Sequence, residues 1–417
     1  MSRIPLHWWI LAALAAAVPV GLVVAPETVW LGVRPYAVFD FAGTLFLRAL
    51  QMIVVPLIVA AVINAVAGTG RDIGRLGART LGYYLISSFL AVLTGLLLVN
   101  LTTPGIVDGE PARDRIGLVE NVEGLIGYGD RGAADLWGIL LRMVPSNVFA
   151  AAASADMLAL ITFSILYGFL IPRLTPALAE SQRTFWQGVY DVMIAMTGVV
   201  MWLAPVGVFG LVARAMATAG LGAFGPLVGF FLTVAVGLAV HMFVTLPLLL
   251  VVFARANPWR HLRGMAEALL TAFTTSSSSA TLPKTLDCLE RNLGVPRHVS
   301  GFVAPLGATV NMDGTALYEC VAAMFIAQAY GLELSLPVQF MVVTLALVSS
   351  IGVAGIPSAS LVAIALILTA IGLPVEGLGL ILAVDRLLDM ARTAVNVYSD
   401  TIGTVIVASS MKEGARA

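Results

Sequence analysis

Charge is scarce in this sequence. Only 11% of its 417 residues are Asp, Glu, Lys or Arg, where a soluble protein of this length would carry about 25%. Lysine occurs only as Lys284 and Lys412, and the formal net charge is −1. A water-surrounded globule is excluded, and no nucleic-acid partner is expected. Cysteine is almost missing too: Cys288 and Cys320 lack the spacing of a zinc or redox site and read as two free thiols. What fills the chain is apolar, with 59% hydrophobic residues and a mean hydropathy of +0.96. The apolar runs are long and unbroken rather than short and alternating, which predicts spanning helices and not a barrel.

Apolar segments lie near residues 6–24, 38–68, 80–103, 147–172, 184–216, 221–253, 298–330, 338–371 and 376–409, with a Ser/Thr-rich stretch at 264–286. The first follows Arg3 but runs apolar through Val24 into a polytopic chain, so it reads as a span and not a cleaved leader. Arg71, Arg75 and Arg79 share one loop, and Arg255, Arg260 and Arg263 another. The loop at 104–135 is acidic, with Asp108, Glu110, Asp114, Glu120, Glu123, Asp130 and Asp135. The positive-inside rule then puts the basic loops and both termini in the cytoplasm, which requires an even number of full spans. Two segments must be something else.

The candidates are TAFTTSSSSATLP at 271–283 and SSIGVAGIPSAS at 349–360. Each sets small, hydroxylated or helix-breaking residues inside an apolar stretch, and Pro283 and Pro357 argue against an uninterrupted helix. Re-entrant hairpins fit this pattern, because irregular backbone at membrane depth survives only where protein or a water-filled cavity satisfies it. Serines bonding back to their own helix or packing between helices would explain either tip alone. A third polar break, GATVNMDGT at 307–315, favours the first reading, since broken segments in matching halves mark the midplane site of a secondary transporter.

The last apolar segment carries Asp385, Arg386, Asp389, Arg392 and Asp400. On a helix Asp385, Asp389, Arg392, Asn396 and Asp400 share one face within roughly 80°. Each ionised group at the bilayer centre costs about 2.5 to 3.5 kcal/mol on insertion scales. They must therefore face a polar interior. Mutual pairing of Asp389 with Arg392 would leave Asp385, Asn396 and Asp400 unexplained. Carboxylates suit ammonium groups and hard cations, and a guanidinium grips a carboxylate twice, so such a face suits a zwitterion bearing an extra acid group.

NMDGTALY at 311–318, SSSSATLP at 276–283, GVAGIPSAS at 352–360 and DMARTAVNVYSD at 389–400 resemble the glutamate transporter family, the dicarboxylate and amino acid:cation symporters, in that family's order and along essentially the whole chain. The resemblance implies an all-α membrane protein with inverted repeats, eight transmembrane helices and two re-entrant hairpins, working as an elevator within a homotrimer in the cell inner membrane. Residues 1–253 would form the trimerisation scaffold, with the third helix lent to the transport core, and residues 254–417 the core itself. No prosthetic group is implied; sodium is the expected coupling ion, and membrane lipid the remaining partner.

Carried over by position, the substrate site falls on Ser277 and Ser278, on Gly352 to Gly355, on Met312 and Thr315, and on Asp389, Arg392, Thr393 and Asn396. Asp389 would take the substrate ammonium, Arg392 and Thr315 the side-chain carboxylate, and Asn396 with the serine tip the main-chain carboxylate. Gly307, Asn311, Asn396 and Asp400 would hold one sodium ion, Thr309, Ser350, Ile351 and Val353 a second, and Tyr84, Ser87, Ser88, Asn311 and Asp313 a third. The YYLISS run is independently odd for a lipid-facing helix, although tyrosine and serine also serve as interhelical glue.

The chain departs from the family at several points. Ser276 stands where some members have arginine, and Arg386 beside Asp385 is read as supplying that cation from another element. Ser358 and Ser360 occupy positions where glycine is common, as does Ser399. Neutral amino acid carriers of the family lack the cation at Arg392, so its presence favours aspartate or glutamate over C4-dicarboxylates, which lack the ammonium for Asp389. Asp313 and Asp400 favour sodium over protons, although a carboxylate can carry either. From other classes, a passive channel is disfavoured because tight occupancy slows conduction. An intramembrane hydrolase using Ser276 to Ser279 with His241 lacks a GxSxG turn.

Overall fold

The computed structural model describes residues 6–30, 32, 34–68, 75–114, 144–154, 157–219, 224–352 and 360–411. The described chain is mostly helical. Helices α1 (Leu6–Val23), α2 (Pro35–Gly68) and α3 (Arg75–Thr102) are followed by α4 (Val148–Ala153), α5 (Met157–Leu170), α6 (Pro176–Met201) and α7 (Ala204–Ala219). Then come α8 (Phe224–Val240), α9 (Pro258–Thr275), α10 (Ser278–Arg291), α11 (Arg297–Val310), α12 (Asp313–Ala329), α13 (Leu336–Gly352), α14 (Ser360–Ala370) and α15 (Leu378–Ser410). Past Val240, α8 runs on helically to Ala254, with π-helical turns at His241–Thr245 and Leu250–Ala254. Two short strands, β1 (Ile106–Val107) and β2 (Glu110–Pro111), pair antiparallel through Asp108 and Gly109. Both turn residues have positive φ, as the right-handed strand twist demands of a two-residue hairpin.

Glycine sets how closely α1, α2, α5 and α7 approach. A Cβ on Gly21 would stand 2.5 Å from the Ala213 carbonyl, one on Gly210 2.5 Å from the Phe39 carbonyl, and one on Gly168 2.9 Å from the Ile63 carbonyl. In a lipid solvent such backbone-to-backbone contact replaces the hydrophobic drive that would join helices in water. Asp40 on α2 and Arg214 on α7 add an ion pair.

The second half is organised round α12, every residue of which is buried. α3 lies against it with Gly95 facing Leu317 and Val321, and α8 with Gly237 facing Leu317. α15 is seated so tightly that a Cβ on Gly314 would come within 2.8 Å of the Arg392 carbonyl.

The serine-rich stretch folds as an antiparallel helical hairpin, and its residues show why. Asn257 caps α9 by accepting from the Trp259 and Arg260 amides at 2.9 and 3.2 Å, with Pro258 at the first helical position. α9 stops at Ser276, in the left-handed conformation (φ 50°), and Ser277 begins α10 by accepting from the Ala280 amide at 3.2 Å. The arms meet side by side: Asn292 donates to the Gly264 carbonyl at 2.7 Å, Lys284 pairs with Glu267 at 2.6 Å, and Thr275 meets Thr281 at 3.3 Å. Pro283 does not interrupt the helix as the sequence suggests; it lies within α10. The cap pair at Ser276 and Ser277 makes the break, and the proline falls only six residues in.

The NMD motif is a second break. Asn311 is extended and ends α11, Met312 is likewise non-helical, and Asp313 opens α12, where the helix dipole favours a carboxylate. α13 and α14 are the two arms expected of a second hairpin; its tip at 353–359, with Pro357, lies outside the described residues. By length and apolarity alone, two described helices can cross a bilayer, Leu76–Thr102 and Gly225–Ala254, and the pair Pro176–Val200 and Ala204–Arg214, bent by 54°, would make a third. The expected count of eight spans does not follow from this measure among the described residues.

Gly210→Ala is expected to destabilise the α2–α7 contact by about 1 to 3 kcal/mol, read as a lower melting temperature in detergent. An unchanged melting temperature would contradict the packing described.

Candidate functional site

Two polar clusters lie inside the second half, both on the charged face of α15. The first surrounds Arg392, 1% exposed. Its Nη2 donates to Asp385 Oδ1 at 3.1 Å and Asp389 Oδ1 at 2.9 Å, and its Nη1 to Ser360 Oγ on α14 at 2.9 Å. The guanidinium lies over the Tyr318 ring of α12, 3.8 Å from its centroid. Arg386 reaches the other Asp389 oxygen at 3.3 Å. Two arginines and two aspartates thus compensate one another, as buried charges must. Arg392 Nε is buried and has no hydrogen-bond partner among the described residues, so one edge of the guanidinium remains able to donate.

The next turns of α15 link this cluster to α12. Asn396 Oδ1 accepts from the Gly314 amide at 2.8 Å while its Nδ2 donates to Thr315 Oγ1 at 3.1 Å. Thr393 is buried and bonds back to the Asp389 carbonyl at 2.8 Å. Met312 is buried at the break between α11 and α12.

The second cluster gathers at that break. Asn311 Nδ2 donates to Asp400 Oδ1 at 2.9 Å and to Ser399 Oγ at 3.0 Å, and its Oδ1 accepts from Ser87 and Ser88 of α3 at 3.3 and 3.4 Å. Asp313 accepts from Ser88 at 2.6 Å and from Ser399 at 2.6 Å, and its Oδ2 faces His241 Nε2 at 3.0 Å. Tyr84 donates to the Val303 carbonyl at 2.6 Å. Gly307 completes the wall, since a Cβ there would stand 2.4 Å from Asp400 Oδ1 and 2.7 Å from the Tyr84 hydroxyl. Among the described residues, neither Asp313 nor Asp400 pairs with a lysine or arginine. Buried carboxylates ringed by hydroxyl and amide oxygens are the donor set of a hard cation.

Most residues singled out in the sequence are therefore brought together. Asp389, Arg392 and Arg386 form the first cluster, and Tyr84, Ser87, Ser88, Gly307, Asn311, Asp313 and Asp400 the second. Asn396, assigned to both substrate and cation, turns to α12, and Ser399 stands between Asn311 and Asp313. Ser277 spends its hydroxyl on the tip cap, with Ser278 buried beside it. Thr309 is exposed and bonds to the Leu306 carbonyl; Ser350 is buried and bonds to Leu347. Among the described residues no hydrogen bond joins that pair; Thr309 is on α11, Ser350 and Ile351 are in the last turn of α13, and Val353 and Gly355 lie outside the described residues.

Sequence reasoning missed Tyr318, Ser360, and Glu319 with Ser349. Glu319 is fully buried; its Oε2 accepts from Ser349 at 2.6 Å and its Oε1 has no partner among the described residues. The signal was legible as a lone acid in ALYECVAAMF. His241 faces Asp313 and not the hairpin serines, which removes the geometry a hydrolase would need.

A sequence profile of the sodium:dicarboxylate symporter family matches residues 6–410. The chain belongs to that family. It is 33% identical to excitatory amino acid transporter 4 of Mus musculus over 461 residues, covering 95% of this chain and 82% of that protein. It is 32% identical to the proton/glutamate-aspartate symporter of Escherichia coli K12, covering 97% and 93%. To the neutral amino acid transporter B(0) of Bos taurus it is 37% identical, covering 95% and 78%. Membership makes the chain a transporter, in keeping with its apolar composition.

Gly307→Ala is expected to raise the cation concentration for half-maximal uptake by about tenfold or more, because the added methyl collides with Asp400. Unchanged cation dependence would separate Gly307 from the cation cluster.

Proposed function

We propose that the chain is a secondary active symporter that moves an acidic amino acid, L-aspartate or L-glutamate, into the cell with sodium. The observation that carries this reading is Arg392, held desolvated against Asp389 with a donor edge to spare. A guanidinium beside a carboxylate complements a zwitterion whose side chain ends in a second acid. Asp389 receives the ammonium, Arg392 and Thr315 the side-chain carboxylate, and Asn396 with the Ser277–Ser278 tip and the second tip at Gly355 the main-chain carboxylate. Arg386 stands in for the arginine that some relatives carry on the first hairpin. Named relatives include both an excitatory and a neutral amino acid transporter, so overall likeness does not choose the substrate; the cation at Arg392 does.

Sodium occupies the cluster at Asn311, Asp313 and Asp400. Two buried carboxylates without lysine or arginine partners are costly unless a cation joins them, and this ties loading of the ion to closure of the site. Residues 1–253 serve as the trimer scaffold, apart from the third helix, and residues 254–417, both re-entrant hairpins included, as the core that slides as an elevator across the inner membrane, with both termini cytoplasmic.

A second reading keeps fold and substrate and replaces sodium with protons. Glu319 favours it, as a fully buried acid with one oxygen unpartnered, and one relative is named a proton/glutamate-aspartate symporter.

Arg392→Cys is expected to lower L-aspartate uptake by about a hundredfold or more, the loss of a charge-assisted pair, and to admit a neutral amino acid such as L-serine. Competition uptake in proteoliposomes measures both. A variant still preferring aspartate would contradict the role given to Arg392.

A further inference from the structure

Arg392 is restrained from three elements. Asp385 and Asp389, on its own helix, hold the Nη2 corner, and Tyr318 of α12 fixes the plane of the group. Both of these contacts leave the Nη1 corner without a partner of its own. The hydrogen bond at that corner goes to Ser360 Oγ, 2.9 Å from Nη1 and 3% exposed. A serine opening a helix ordinarily turns its hydroxyl onto the amides of its own first turn. Here, at the start of α14, it meets the guanidinium instead.

We propose that Ser360 is a positioning residue for substrate recognition. Its hydroxyl fixes the Nη1 corner of Arg392, so the N–H groups still able to donate point at the substrate side chain. It also ties that orientation to the seat of α14, the returning arm of the second hairpin. An arm out of place would take away the partner of the Nη1 corner, and acid recognition would weaken with it. Glycine at this position would lack the link altogether. The inference rests on the reading of Arg392 as the acid-recognising group, but it concerns a residue to which neither the family resemblance nor the named relatives give a role.

The test is uptake kinetics in proteoliposomes for wild type, Ser360→Ala, Ser360→Gly and Ser360→Thr, with L-aspartate as substrate. A hydrogen bond to a charged group predicts a KM about tenfold higher in the alanine and glycine variants, with a maximal rate within about twofold of wild type. Threonine, which keeps the hydroxyl, is expected to restore KM to within about threefold. A wild-type KM in Ser360→Ala would overturn the proposal. So would a threonine variant as impaired as alanine, since that result assigns the effect to packing. Wild-type protein that takes up no acidic amino acid would fail the functional reading itself, and the inference would fall with it; the wild-type control separates the two failures.

Discussion

A guanidinium cannot be taken out of water alone. In the interior of a membrane protein the surrounding medium offers no hydration to fall back on, and burial of an unpaired ion is prohibitive. Arg392 meets this constraint with two carboxylates, an aromatic face and a hydroxyl drawn from three helices. Asp389 is shared in turn with Arg386. The position of α14 and the burial of Tyr318 in α12 are linked to that one charge, and so is the charged face of α15.

Backbone breaks do for the cation cluster what side chains do for Arg392. A continuous helix would consume every amide and carbonyl within itself and could not turn Asn311 and Asp313 toward α3 and α15. Interruption at Asn311 and Met312 places the Asn311 amide and the Asp313 carboxylate, two residues apart, facing the same space. Serines from α3 and α15 then fill the shell, and Gly307 leaves Asp400 room to enter it. The two clusters are only two helical turns apart on α15, from Arg392 to Asp400, with Asn396 between them bonded to the first turn of α12.

Much of this was legible before any coordinates. The four-three-four-four spacing on α15 placed its charges on one face because helical periodicity is a local property. A run of hydroxyls foretold the first hairpin tip, and polar residues in an apolar stretch foretold the NMD break. Partners from other helices were not legible: one serine at the start of α14 or one tyrosine in an apolar run carries no periodic signal. Nor was the bond of Asn396 to the start of α12 legible, since its residue type suits a ligand and a helix-to-helix clasp equally. Pro283 was overread, because the capping serines ahead of it had already ended one helix and begun another. The resemblance identified the family correctly, and the relatives it brings differ in the cargo and ion their names state.

The central claim is that an acid-recognising cluster and a cation cluster are coupled within one core. Uptake of radiolabelled L-aspartate into proteoliposomes, driven separately by an inward sodium gradient and an inward proton gradient, tests it most directly. Concentrative uptake with sodium alone is the predicted result. Uptake with protons alone would transfer the coupling role to Glu319, and uptake indifferent to both gradients would contradict the coupling itself.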